Sequence, residues 1–380
     1  MTRDLSDGLP SGGPPYGRGT LSDVLVSAAS ALGSDLHPNA HRLPPAAGYV
    51  VLLVDGLGWE LLREHAAAAP YLGALAEQSA PATCGIPSTT ATSLTSLGTG
   101  LPPGGHGVVG YTSRIPGTDR LLDALRWSAD VDPREWQPRD TVFAAARRAG
   151  LSATTVSKRA FEGSGLTVAS QRGATYVGAD TVGERVEAVA EAAAAPGSLV
   201  YVYDGEVDAV GHRSGCESWA WEHQLSMADA FAQRLRDALP AGAGLVVTAD
   251  HGMIDIPADA RIDVDAEPDL LAGVQLVGGE ARFRHLYCRA GAVDDVAAAW
   301  RARLGAAAVV VTRDDAVGRG WFGEVDGRVR PRLGDVMVAC VDDIAVVSST
   351  AFPHEARLVG FHGSLTTAEM LVPVLVDVRG

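Results

Sequence analysis

The chain has 380 residues, 47% apolar and 20% charged, with a net charge of −15. This is the composition of a soluble globular protein long enough for two domains, or for one large domain with an insertion. The negative charge excludes general binding to nucleic acid or to an anionic membrane, and a phosphate handled inside such a protein needs local cations. Four cysteines at 84, 216, 288 and 340 form no paired motif, which excludes a zinc-thiolate cluster or disulfide framework and fits a reducing compartment. Among 31 basic residues the only lysine is Lys158.

Residues 1–19 are rich in Pro and Gly and carry acidic residues where a signal peptide needs an apolar core; a flexible arm is expected there. No apolar run reaches membrane-spanning length, so a cytoplasmic location is expected. LSDVLVSAASAL (21–32) has helical spacing, and HPNAHRLPP breaks it. GYVVLLVDG (48–56) predicts a buried parallel strand with Asp55 at its carboxyl end.

Residues 86–100, IPSTTATSLTSLGTG, carry hydroxyls at eight of fifteen positions. In isolation they read as a Ser/Thr loop capping a helix that starts near Ala91. RDTVFAAARRAG (139–150) and GERVEAVAEAAAA (183–195) are helical patterns, and SLVYVYDG (198–205) and AGLVVTADHG (243–252) are further strands. This alternation predicts a doubly wound, mostly parallel α/β sheet flanked by helices.

After about Asp255 the pattern becomes a small α+β unit, before the chain closes with LVGFHGSLTTAEMLVPVLVDV. The expected organisation is an N-terminal arm and helix over 1–45, a metal-binding catalytic α/β domain over 46–255 plus 346–380, and an inserted α+β subdomain over 256–345.

Three strands end in acidic residues: Asp55, Asp204 with Asp208 just beyond, and Asp250. Ligands of open α/β sheets bind outside the carboxyl ends of the strands, and carboxylates gathered there repel one another unless a cation is present. His251 follows Asp250, and His212 lies four residues after Asp208, on the same face of a helical turn. His362 sits in the Gly-bracketed GFHG, which can return to the same cleft. Each residue alone has an ordinary explanation as a cap, turn or surface pair. Together, oxygen and nitrogen ligands without sulfur suit zinc or manganese, and they suffice for two ions. Two such ions form a clamp for in-line displacement at phosphorus. A Thr at the first turn of a helix sits where free amides and the helix dipole favour an anion, and beside a divalent cation its hydroxyl becomes a nucleophile.

The ordered set VDGLGWELL, PSTTATSLTSLGTGLPPGGHGVVGY, DAVGH, TADHGM and GFHG resembles the alkaline phosphatase superfamily, most of all its nucleotide pyrophosphatase/phosphodiesterase branch. The resemblance runs over most of 48–255 and again near 360. It implies an alkaline-phosphatase-like fold and a phosphoesterase that uses two divalent ions, zinc with manganese as the alternative. The implied reaction is hydrolysis of phosphodiester or pyrophosphate bonds in small nucleotide-like substrates through a phospho-threonine.

In that branch the nucleophile stands ten residues before the Gly of a Thr-Gly pair, and counting back from Gly100 selects Thr90. Thr89 is left to face the sheet or cap the turn. One ion is implied at Asp208, His212 and His362, the other at Asp55, Asp250, His251 and the Thr90 oxygen. His106 reads as structural.

The branch commonly has an Asn three residues after the nucleophile. Ser93 stands there instead, as a substitute donor to a phosphate oxygen. Lys158 is a second candidate phosphate contact, or a surface lysine. Trp219 and Trp221 stack a nucleobase or serve packing. Cys84 lacks the sequence context of a sulfatase site. A phosphomonoesterase on the same scaffold is the nearest alternative, and a non-catalytic metal-stabilised binding protein a more distant one. The expected partner is a small phosphorylated molecule, not a nucleic-acid polymer or a membrane; the oligomeric state stays open.

Overall fold

A computed structural model describes residues 13–34 and 38–379. The apolar run Gly48–Val54 forms β1, buried along its whole length, because a strand in the middle of a sheet covered on both faces has no wet side. Parallel to it in one sheet lie β2 (Ser152–Ser157), β3 (Thr175–Gly178), β4 (Ser198–Asp204) and β5 (Ala243–Thr248). The chain then builds a separate antiparallel sheet from β6 (Val274–Glu280), β7 (Phe283–Cys288), β8 (Ala308–Thr312) and β9 (Val336–Cys340), in the order β6-β7-β9-β8. It returns with β10 (Val374–Val378), antiparallel to β5. The first sheet therefore reads β10-β5-β1-β4-β2-β3.

Register places the chemistry. Val54 pairs with Asp204 and Leu53 with Thr248, so β4, β1 and β5 end at one level. Asp55, Asp204 and the Asp250 loop leave the sheet side by side.

Seven helices matter here: α1 (Asp23–Ala31), α2 (Thr90–Thr99), α3 (Val142–Arg148), α4 (Val182–Ala193), α5 (Glu206–Ser214), α6 (Trp219–Ala238) and α7 (Val293–Leu304). On the second sheet, alternation splits the strands between two cores. Met337 and Ala339 of β9 join the main core, while Val336 and Val338 pack with Trp300 of α7 in a smaller one.

The arm expected over residues 1–19 falls partly outside the described residues. From Gly13 onward it is held. The Tyr16 hydroxyl donates to the Trp321 carbonyl at 2.8 Å and accepts from the Ile86 amide at 3.3 Å. Among the described residues no helix is long and apolar enough to cross a membrane.

Candidate active site

The three central strand ends are tied to one another through their backbones. Asp55 N–H donates to Asp204 O at 2.8 Å, and Asp208 N–H donates to Asp55 O at 3.1 Å. Asp250 Oδ1 accepts from the amides of Gly56 and His251, both at 3.0 Å. Gly56 makes this crossing possible: its φ is +74°, and a Cβ there would stand 2.9 Å from the Asp208 Cβ. The segment carrying His362 is zipped onto the residues before α2, with Ser88 N–H to Gly363 O at 3.1 Å and Ser88 Oγ to Ser364 O at 2.8 Å. Thr90 is the first residue of α2, and its Oγ1 lies 3.2 Å from His251 Nε2.

Each of the three histidines has its Nδ1 occupied by a backbone carbonyl: His212 by Gly360 at 2.8 Å, His251 by Gly252 at 2.9 Å, His362 by Ser88 at 3.0 Å. A carbonyl only accepts, so Nδ1 carries the proton and each Nε2 presents a lone pair. Those lone pairs face carboxylates. His212 Nε2 is 3.3 Å from Asp208 Oδ1, and His251 Nε2 is 3.3 Å from Asp250 Oδ2 and 3.5 Å from Asp55 Oδ1. The same three oxygens, Asp55 Oδ1, Asp208 Oδ1 and Asp250 Oδ2, are buried without a hydrogen-bond partner.

Electron-pair donors crowded against one another in a buried cleft are what a cation relieves, and backbone-pinned histidine tautomers are the usual outer shell of a cation site. Electrostatics agree. Burial, then the nearby Asp250 and Asp208 charges, push the Asp55 carboxyl well above its ordinary range. Burial pushes Asp250 upward too. Burial, followed by the His251 and His212 rings, drives His362 well below the usual imidazole value, so it stays neutral. Its ring stacks on His251 with centroids 3.6 Å apart. The donor set fits divalent cations.

The profile of the family "Type I phosphodiesterase / nucleotide pyrophosphatase" matches residues 49–365. The chain belongs to this phosphodiesterase family. It is a hydrolase of the phosphodiesterase/nucleotide pyrophosphatase type. No curated protein matches the sequence. Among solved structures it is similar to murine ectonucleotide pyrophosphatase/phosphodiesterase 5, with 18% identity, 87% of this chain and 88% of that one covered, and a TM-score of 0.68. An inactive variant of the murine protein in complex with AMP matches at 17% identity, 87% of each chain and 0.68. The human protein matches at 18%, 87% of each chain and 0.67. The fold is thus that of the alkaline-phosphatase-like phosphodiesterases.

Within this phosphodiesterase scaffold the donor atoms group differently from the expected division. Two sets lie within 4.8 Å: Asp55 with Asp250 and His251, and Asp208 with His251 and His362. The stacking of His251 on His362 makes His251 common to both sets. His212 stands outside the second set, although it touches Asp208 and its ring centroid is 5.1 Å from that of His362.

Ser93 is wholly buried beside the Cys84 thiol and does not line the cavity at Thr90. Lys158 pairs with Glu206 at 2.5 Å, also outside that cavity. Neither tryptophan lines it: Trp221 is in the core, and Trp219 is exposed and stacked on His223. Asp204 is neutralised by the buried Arg185 at 3.0 Å. His106 accepts from Val108 N–H and meets Ser96 Oγ at 2.9 Å, which satisfies both ring nitrogens. Thr89 occupies the N-cap position, yet its side chain makes no capping bond.

The cavity beside Thr90 has a volume of about 340 Å³. α2 and α5 supply Thr90, Asp208 and His212; the 354–362 loop supplies His362 and Phe361; the 111–126 segment supplies Tyr111 and Arg126; and the β6–β7 turn supplies Glu280 and Ala281. Glu280 carries no sequence signal, because the cavity around it is completed only by residues far away in the chain; Tyr111 closes the GGHGVVGY stretch, but nothing local shows that it faces the cavity. The turn is fixed by a fully buried ion pair between Arg282 and Glu369, whose carboxylate also accepts from Ser364 N–H. The second sheet therefore builds one wall of the site.

Proposed function

We propose that the protein is a two-metal phosphodiesterase or pyrophosphatase of small nucleotide-like substrates, with Thr90 as nucleophile. What carries this reading is the convergence of three partnerless carboxylate oxygens and three lone-pair-bearing Nε2 atoms next to Thr90 at a helix start. Asp208, His212 and His362 would hold one ion; Asp55, Asp250 and His251 would hold the other, with the Thr90 oxygen. The bound ions supply Lewis-acid activation and offset the negative charge of nucleophile and leaving oxygen.

The Thr90 hydroxyl loses its proton and Oγ1 forms the new bond to phosphorus while the ester bond on the opposite side breaks. The leaving oxygen departs with the bond's electron pair and takes a proton from solvent. The first amides of α2, which no side chain caps, donate to a phosphoryl oxygen. Water then cleaves the phospho-threonine, returning the Thr90 hydroxyl and releasing the monoester. The nitrogen and oxygen donor set favours zinc, with manganese as the alternative. The AMP bound to the murine relative supports a nucleotide-like substrate.

The test is a hydrolysis panel on zinc- and manganese-loaded enzyme. Bis(p-nitrophenyl) phosphate and a dinucleotide should turn over faster than p-nitrophenyl phosphate, and chelation should abolish all three rates. Preference for the monoester would make the enzyme a phosphomonoesterase; no turnover at all would make it a binding protein.

A further inference from the structure

Glu280 is unlike the other acidic residues around the cavity. It is 7% exposed, lines the cavity that holds Thr90, and belongs to neither of the cation-competent sets beside Thr90. Both its oxygens lack a hydrogen-bond partner, and the Thr89 hydroxyl and the Tyr111 backbone are near enough only to draw its carboxyl downward against the burial. No cation is bonded to it. Arg284 pairs with Glu355 and donates to the Val346 carbonyl, with its Nη1 left unpartnered, and Arg126 is exposed.

The position is held tightly. Gly363, the residue after His362, has φ +130°, and a Cβ there would come within 2.6 Å of the Glu280 Cγ. The Arg282–Glu369 pair fixes the same turn to the 364–369 segment. A buried acidic group with no partner is costly unless something else supplies one. In a substrate cavity, that something is the substrate.

We propose that Glu280 is a specificity-determining residue that accepts a hydrogen bond from a neutral O–H or N–H donor, a sugar hydroxyl or a nucleobase amine, on the group esterified to the phosphate. The inference rests on the phosphoesterase reading above. Burial pushes the Glu280 carboxyl upward, disfavouring its charged form. A carboxyl group can accept and, when protonated, also donate, which matches a hydroxyl or an amide-like base edge.

Calorimetric titration of metal-loaded wild type, E280A and E280Q with four phosphates tests this. AMP carries both kinds of donor, ribose 5-phosphate only hydroxyls, phenyl phosphate neither, and phosphocholine a cation without N–H. E280A should weaken AMP at least tenfold more than phenyl phosphate, and E280Q, which keeps an acceptor in a near-identical shape, should recover part of the loss. Ribose 5-phosphate tracking AMP assigns the contact to the sugar; its tracking phenyl phosphate assigns it to the base. Equal loss for all four ligands, or phosphocholine binding tightest and losing most, overturns the proposal. Affinities that split as expected without diester turnover would overturn hydrolysis but keep Glu280's role. Turnover with uniform losses would do the reverse.

Discussion

The Tyr203 hydroxyl lies 2.5 Å from Asp55 Oδ2, while Asp55 Oδ1 has no partner and faces His251 Nε2 at 3.5 Å. A phenol can only reach one oxygen, so it turns the carboxylate and leaves the other lone pairs to the cluster. Burial and the Asp55 charge hold that phenol in its neutral, donating form. Removing such an outer partner costs metal affinity by about 10- to 100-fold in known sites. Tyr203→Phe should therefore bind zinc about that much more weakly in a chelator competition, with an unchanged circular dichroism spectrum. Unchanged affinity would show that Tyr203 does not orient Asp55.

Elemental analysis of protein purified without chelator should give close to two divalent ions per chain. Without ions, Asp55, Asp208 and Asp250 are left facing one another in a buried cleft, so chelation should lower the melting temperature. Added zinc should raise it with ligand concentration as binding linkage requires. One ion or none after supplementation with zinc and manganese would contradict the two-ion site.

What was legible in the sequence is what local pattern encodes. β1, β4 and β5 are continuous apolar runs ended by acidic residues, and Asp208 with His212 shares one helical turn, so these needed no tertiary knowledge. Ser93 shows where counting along a helix runs out. One turn after Thr90, its side chain points into the core beside Cys84, and only packing reveals which face is wet. Tyr16 has no local signal for being held, since its partners are Trp321 and Ile86. Glu280 is invisible for the same reason: its cavity is assembled from segments that begin near 89 and end at 362.

Acid should destabilise the fold through its structural histidines. Burial holds His106 down to about 3 and His285 to about 4, against about 6.5 for an unfolded histidine. Below pH 6.5 the unfolded chain takes up protons that the folded one refuses. The stability these neutral rings contribute is thus present above pH 6.5 and is lost as pH falls toward 4. The slope is about 1.4 kcal/mol per pH unit for each histidine. In urea titrations of metal-free protein at pH 7, 6 and 5, His106→Gln should be less stable at pH 7 but lose less per pH unit. Parallel losses in the two proteins would mean that His106 is protonated in the fold.

Thr89 and Thr90 are adjacent hydroxyls, and geometry separates their roles. Thr90 Oγ1 is 3.2 Å from His251 Nε2, at the first position of α2. Thr89 is extended, with φ −142° and ψ 147°, and buried toward Glu280. Thr90→Ala should lower kcat by at least about a thousandfold, the scale of losing a covalent nucleophile. It should keep most of its metal, because six Asp and His donors remain. Thr89→Ala should cost less than the roughly 1 kcal/mol of a lost cap, since its side chain caps nothing, and should keep activity within about tenfold. Mass spectrometry of acid-quenched enzyme should find trapped phosphate on Thr90. Phosphate on Thr89, or an active Thr90→Ala enzyme, would move the nucleophile one residue back, to a hydroxyl whose neighbour is a glutamate instead of the histidine cluster.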